Sequence, residues 1–153
     1  MTTQFISQKK YTALTEELDH LQKVDMLETA KQINEAKELG DLKENAEYHM
    51  AREKLSWQKG RAAEIDNILS NAKILDENNI RKDVVGIGVT ILVQRGEKEK
   101  EYTIVGAQEA DPLEGKISNE SPLGQAFLGK VVGDSVEVEV PAGLQTYNIL
   151  EIK

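Results

Sequence analysis

No cysteine occurs among the 153 residues, so disulfides and thiolate metal sites are excluded, and a cytosolic origin is compatible with the sequence. Histidine is limited to His20 and His49. Neither has a Cys or His partner at ligand spacing, so both read as surface or seam-flanking residues. No stretch approaches the ~20 apolar residues of a membrane span, and the segment from Met1 to Lys10 lacks the apolar run of a secretory signal. The expectation is a soluble, cytoplasmic protein without membrane contact. A basic excess is missing too: 27 Asp and Glu outweigh 19 Lys and Arg, for a net charge of -8. A protein held to nucleic acid mainly through phosphates needs a basic surface, because counterion release supplies most of that affinity. Residues 76–153 are the more acidic half, with 14 acidic and 8 basic residues against 13 and 11 in residues 1–75. Positive charge is left to local groups such as Lys37, Lys43 and Arg52, which lie within about three turns of residue 41 on a helix.

What is present is a long apolar seam. Tyr48, Ala51, Leu55, Gln58, Ala62, Ile65, Leu69 and Ala72 follow at spacings of three and four, the pattern of a coiled coil, with Gln58 its only polar member. Leu14, Leu18 and Leu21 keep the same spacing. Pairing Leu14 with Leu69, Leu18 with Ile65 and Leu21 with Ala62 gives an antiparallel hairpin that reverses between Asp41 and Leu42. After Leu21 the seam slips, since Asp25 would face Gln58, and apolar contact is expected to resume through Met26, Ala30 and Ile33. Such a slip reads as a stutter or local unwinding. Helical periodicity from Ser7 to Leu39 makes an arm roughly 50 Å long. Trp57 reads as packing rather than as a stacking platform.

The pattern changes at Asp76-Glu77-Asn78-Asn79, which divides the chain into an arm, 1–75, and a second domain, 76–153. Val89–Val93 and Tyr102–Val105 flank a polar turn from Gln94 to Glu101 and read as a hairpin. Ser135–Val140 alternates strictly, placing Val136, Val138 and Val140 on one buried face. Residues 147–152 make a last strand. Ser121 as N-cap, Pro122 at the first helical position and Gly129 at the C-terminal cap outline a short helix between them. The class is α+β.

At the hairpin's reversal stand Asp41 and Glu44, three residues apart and on one side if Asp41 begins a helix. Hard oxygen ligands suit Mg²⁺, but two fill few of its six positions. Asp-x-x-Glu is equally a capping box, with Asp41 accepting from the Glu44 N–H and the Glu44 side chain returning the bond, and Gly40 is an ordinary C-terminal cap. Residues alone leave both readings open.

Gly40-Asp41-Leu42-Lys43-Glu44-Asn45-Ala46-Glu47-Tyr48-His49 closely resembles the tip signature of the bacterial GreA-type transcript cleavage factors. The likeness continues through Ala51-Arg52-Glu53, Gly60-Arg61, Tyr102–Gly106, Glu109–Asp111, Gly115–Ser118, Ser121-Pro122-Leu123-Gly124, Leu128–Lys130 and Gly133–Val136, and covers nearly the whole chain. This resemblance implies a coiled-coil arm followed by an FKBP-like α+β domain, the latter docking on RNA polymerase through the region of Ser121, Pro122 and Leu123. It further implies that the arm enters the polymerase's secondary channel. There Asp41 and Glu44 would help hold a catalytic Mg²⁺ shared with the polymerase, while Lys37 and Arg52 lie near the 3′ end of backtracked RNA. No cofactor in isolation, a monomer, and only a family-level association with DNA complete the expectation. The chain departs from the family at Met26-Leu27, where an Arg-Pro pair is common, at Lys37, commonly Arg, and at Trp57, a Phe-like position. Related inhibitors of polymerase carry a different acidic tip, so Asp41 and Glu44 favour the activator. A prolyl isomerase and a non-catalytic coiled-coil adaptor or inhibitor are the other classes to separate. The isomerase is disfavoured because the second half offers only Tyr102, Phe127 and Tyr147 to line a pocket.

Overall fold

A computed structural model describes residues 3–153; Met1 and Thr2, at the start of the segment read as lacking a secretory signal, lie outside the described residues. Two compact units divide the chain, one of residues 11–71 and one of residues 72–153 together with those up to Lys10. The first unit is helical. Its elements are α1 (Gln8–His20), which begins in the other unit, a π-helical turn at Leu21–Asp25, α2 (Met26–Glu38) and α3 (Ala46–Ser70). Leu14, Ile65 and Ile68 form a buried cluster on which Leu18 and Leu69 pack; Ile68, which the expected seam omitted, is buried while Leu69, read as the partner of Leu14, is half-buried.

The seam's slip takes a physical form in the π turn, which inserts residues into the helix without breaking it. Beyond it, Thr29 and Ala36 are buried while Ala30 is exposed, so the expected contact through Ala30 is replaced by one through Thr29. Burial of Thr29 is tolerable because its hydroxyl donates to the Asp25 carbonyl at 2.9 Å. Gln58 is also buried, and its Oε1 has no hydrogen-bond partner among the described residues. Across the hairpin, Arg61 donates to both carboxylate oxygens of Glu17, at 2.7 and 3.1 Å, and to Glu64 at 2.9 Å. These bonds hold the guanidinium charged, its pKa raised above the ordinary value.

The split at residues 75 and 76 read from the sequence differs from the structure at both ends of the arm segment. Helix α3 stops at Ser70, and β2 (Ala72–Ile74) pairs in parallel with β1 (Gln4–Ile6), Gln4 lying opposite Ala72. Ala72 continues the seam's numerical spacing, but backbone pairing, invisible to that count, takes it into a strand. Gly106 makes room for β1: a Cβ there would stand 1.6 Å from the Phe5 carbonyl oxygen. Ser7 then donates both its N–H and its hydroxyl to the Glu109 carboxylate, at 3.0 and 2.6 Å.

The rest of this unit is a five-stranded mixed sheet in the order β5 (Lys116–Ser118), β4 (Lys98–Val105), β3 (Thr90–Arg95), β7 (Gly143–Ile152), β6 (Ser135–Val140). Only β4 and β5 run parallel. The β3–β4 turn is far tighter than the expected Gln94–Glu101, because Arg95 pairs with Lys98 and leaves only Gly96 and Glu97 between the strands. Polar side chains hid the continuation of both strands, since ladder bonds are made by backbone whatever the side chains. Val136 and Val138 are buried as their alternation predicts, with Val140 half-buried. Helix α4 (Pro122–Phe127) starts where expected, Ser121 Oγ accepting from the Gly124 N–H at 3.0 Å. Its Phe127 packs with Tyr102 and Tyr147 in the core.

Candidate functional site

The reversal of the hairpin is built by residues other than the two carboxylates. Helix α2 ends at Glu38 with Leu39 as its C-cap, and Gly40 takes a φ of 127°, a backbone conformation that side-chain-bearing residues avoid. Asn45 is the N-cap of α3, its Oδ1 accepting from the Tyr48 N–H at 3.1 Å and its Nδ2 donating to the Ala36 carbonyl at 2.6 Å. His49 Nε2 lies 3.2 Å from the Lys43 carbonyl. A helix beginning at Asp41 and an Asp41–Glu44 capping box are therefore not what the chain forms. Asparagine displaces the acidic pair because its amide both donates and accepts, so one side chain ties both helices.

Asp41 and Glu44 are exposed in the turn. One oxygen of Asp41 accepts from the Lys43 N–H at 3.0 Å; Glu44 makes no hydrogen bond or ion pair among the described residues. Three carboxylate oxygens are thus free at the tip. Among the described residues no group of three or more acidic or histidine side chains converges as a metal site. The donor set fits Mg²⁺ only as part of a larger shell completed from elsewhere.

On one side of the seam, Lys37, Arg52 and Lys59 line a groove of about 460 Å³ with Tyr48 and Leu55, the Arg52 guanidinium lying 5.6 Å from the Tyr48 ring centre. The structure brings the two basic residues named from the sequence together and adds Lys59. That residue was legible as the position seven after Arg52 on the same helix face. Lys43 gives its backbone N–H and carbonyl to the turn and does not line this groove. On the other side, Glu35, Glu38, Glu47 and Lys54 line a groove of about 720 Å³ that is floored by buried Ala36 and Ala51, with Leu39 and Met50 exposed at its edge. Trp57 does not pack within the chain as expected but is 68% exposed. His20 lies on the surface, 3.2 Å from Asp25.

In the second unit the three residues expected to dock have different surroundings. Ser121 is committed to the α4 cap and donates to the Ser118 carbonyl at 2.7 Å, and Leu123 packs on the core. Pro122 alone is exposed.

Residues 4–74 match the family model "Transcription elongation factor, N-terminal", and residues 80–153 match "Transcription elongation factor, GreA/GreB, C-term". The transcription elongation factor GreA of Clostridium acetobutylicum is 45% identical over 150 residues, covering 97% of this chain and 95% of the relative. GreA of Thermoanaerobacter pseudethanolicus is 49% identical over 142 residues, covering 92% and 90%. GreA of Caldanaerobacter subterraneus is 48% identical over the same length and the same shares. With both halves matched in order and relatives aligned along nearly their full length, this chain belongs to the GreA/GreB family of transcription elongation factors.

Proposed function

We propose that the arm enters the secondary channel of bacterial RNA polymerase and stimulates the polymerase's own cleavage of the 3′ end of backtracked RNA, so that arrested complexes resume. One observation carries this reading beyond the family name. The structural work of the turn is done by Asn45, Gly40 and His49, which leaves Glu44 and most of Asp41 at the end of the arm with no partner in the fold. A capping pair would be occupied; these carboxylates are available.

Asp41 and Glu44 would hold Mg²⁺ jointly with polymerase groups. Such an ion stabilises the attacking and leaving oxygens of phosphodiester hydrolysis. The chain itself contributes negative oxygen donors at the tip and, through Lys37, Arg52 and Lys59, a positive groove that steadies the extruded RNA. Pro122 and its neighbours would dock on the polymerase, placing recognition and chemistry on different units. The protein is then a cofactor of a cytoplasmic enzyme, not an enzyme itself.

Cleavage of RNA in stalled polymerase complexes tests this directly. Wild-type protein should accelerate cleavage, and Asp41→Ala and Glu44→Ala should each abolish most of that acceleration while still competing with wild type for polymerase. Full stimulation by either variant would refute the metal role. Occupancy without acceleration by wild type would instead mark an adaptor or inhibitor, and a peptide isomerisation assay separates the remaining class.

A further inference from the structure

Helix α4 is six residues, ~9 Å long, whereas β7 has ten residues and runs about 33 Å. The helix therefore covers only part of the sheet face against which Phe127 packs. Alternation along β4 puts Ile104, Tyr102, Lys100 and Lys98 on that same face. Where the cover ends, a cavity of about 250 Å³ opens, walled by Val93, Tyr102 and Tyr147 and rimmed by Arg95, Lys98 and Lys100. Glu99, the one carboxylate among its lining residues, belongs by the same alternation to the opposite face.

The charge here runs against its surroundings. Residues 76–153 hold 8 basic and 14 acidic residues, yet three of those eight cations meet at one cavity. None of the three has an ion-pair partner among the described residues. Arg95 is also held in place: its Nη1 donates to Gln145 Oε1 at 2.8 Å, and the same oxygen accepts from the hydroxyl of buried Tyr147 at 2.8 Å. A guanidinium has five N–H donors, so most remain available.

We propose that this cavity receives an acidic side chain of the polymerase, carried on a segment that also presses an apolar group against the tyrosine wall. The proposal rests on the polymerase-binding function given above. A nucleotide fits less well. The volume falls below the roughly 300–1,000 Å³ of small-molecule sites. Lys100 Nζ also stands 5.1 Å from the Tyr102 ring centre, over the face a base would need. A single carboxylate with an apolar neighbour matches both the size and the three unpaired cations.

Fluorescently labelled full-length protein, titrated with polymerase core enzyme, provides the test. Arg95→Glu combined with Lys98→Glu should raise Kd by about tenfold or more, lessen the salt dependence of binding, and restore cleavage at saturating factor. Because Arg95→Glu disturbs the Gln145 contacts, Lys98→Gln alone, at a side chain free of hydrogen bonds, should weaken binding to a smaller degree, with Lys98→Arg restoring it. Unchanged Kd in the folded Lys98→Gln protein and in the double variant would overturn the proposal while leaving cleavage stimulation standing. Binding of a short RNA oligonucleotide by wild type, lost in the double variant, would also overturn it by showing nucleic acid as the occupant. Failure of wild type to bind polymerase at all would bring down the underlying function as well.

Discussion

Asn45 ties the end of α2 to the start of α3: its side chain donates to the Ala36 carbonyl and accepts from the Tyr48 N–H. One amide closes the hairpin, leaving Glu44 without a partner among the described residues and Asp41 with a single bond to the Lys43 N–H. Asn45→Ala should lose the cap, worth about 0.5–2 kcal/mol, together with the link to Ala36. Thermal melting should show the loss, and cleavage stimulation should fall because the turn carrying Asp41 and Glu44 is no longer fixed. Glu44→Ala, by contrast, should melt within about 0.5 kcal/mol of wild type, as an exposed side chain without partners. Equal destabilisation by the two variants would mean that Glu44 has a structural role.

Gln58 is 4% exposed with its carbonyl oxygen unpaired in the seam. A buried acceptor left without a donor costs about 1–3 kcal/mol. Gln58→Leu, similar in volume, should therefore stabilise the arm by about 1 kcal/mol, seen as a higher urea midpoint with an unchanged slope. A lower midpoint would mean that the amide is satisfied in solution.

Burial pushes the Tyr102 hydroxyl above its ordinary range, with nearby Tyr147 adding to the effect and Arg95 opposing it. A group that binds its proton more tightly when folded contributes stability that is fully present below its unfolded value of about 10 and is lost as pH rises through the folded value. Denaturation midpoints measured at increasing alkaline pH should fall, and the fall should be shallower in Tyr102→Phe. Identical profiles would assign the alkaline loss to other groups.

Free protein should bind Mg²⁺ no more tightly than roughly the millimolar range, because two solvated carboxylates supply so few ligands. Calorimetric titration tests this, and incubation with RNA and Mg²⁺ should leave the RNA whole. A tight site, or RNA cleavage that vanished in Asp41→Ala, would make the protein an enzyme in its own right.

Much of this was legible because it depends on local chemistry. Seam spacing fixed the hairpin's register, the slip after Leu21 announced the π turn, and Ser121, Pro122 and Gly129 marked α4 through side-chain and backbone preferences that act within a few residues. Side-chain type and position singled out Asp41 and Glu44 as a pair but left a capping box and a metal role both open. Tertiary structure decided what those patterns could not express. Pairing of β1 with β2 joins backbone groups about seventy residues apart, and side-chain periodicity carries no record of it. Whether Asp41 and Glu44 or Asn45 capped α3 turned on which group could also reach Ala36, a relation between two helices. The basic rim of Arg95, Lys98 and Lys100 reads in sequence as scattered surface charge; it becomes a cavity only because a short helix leaves the end of a long sheet uncovered.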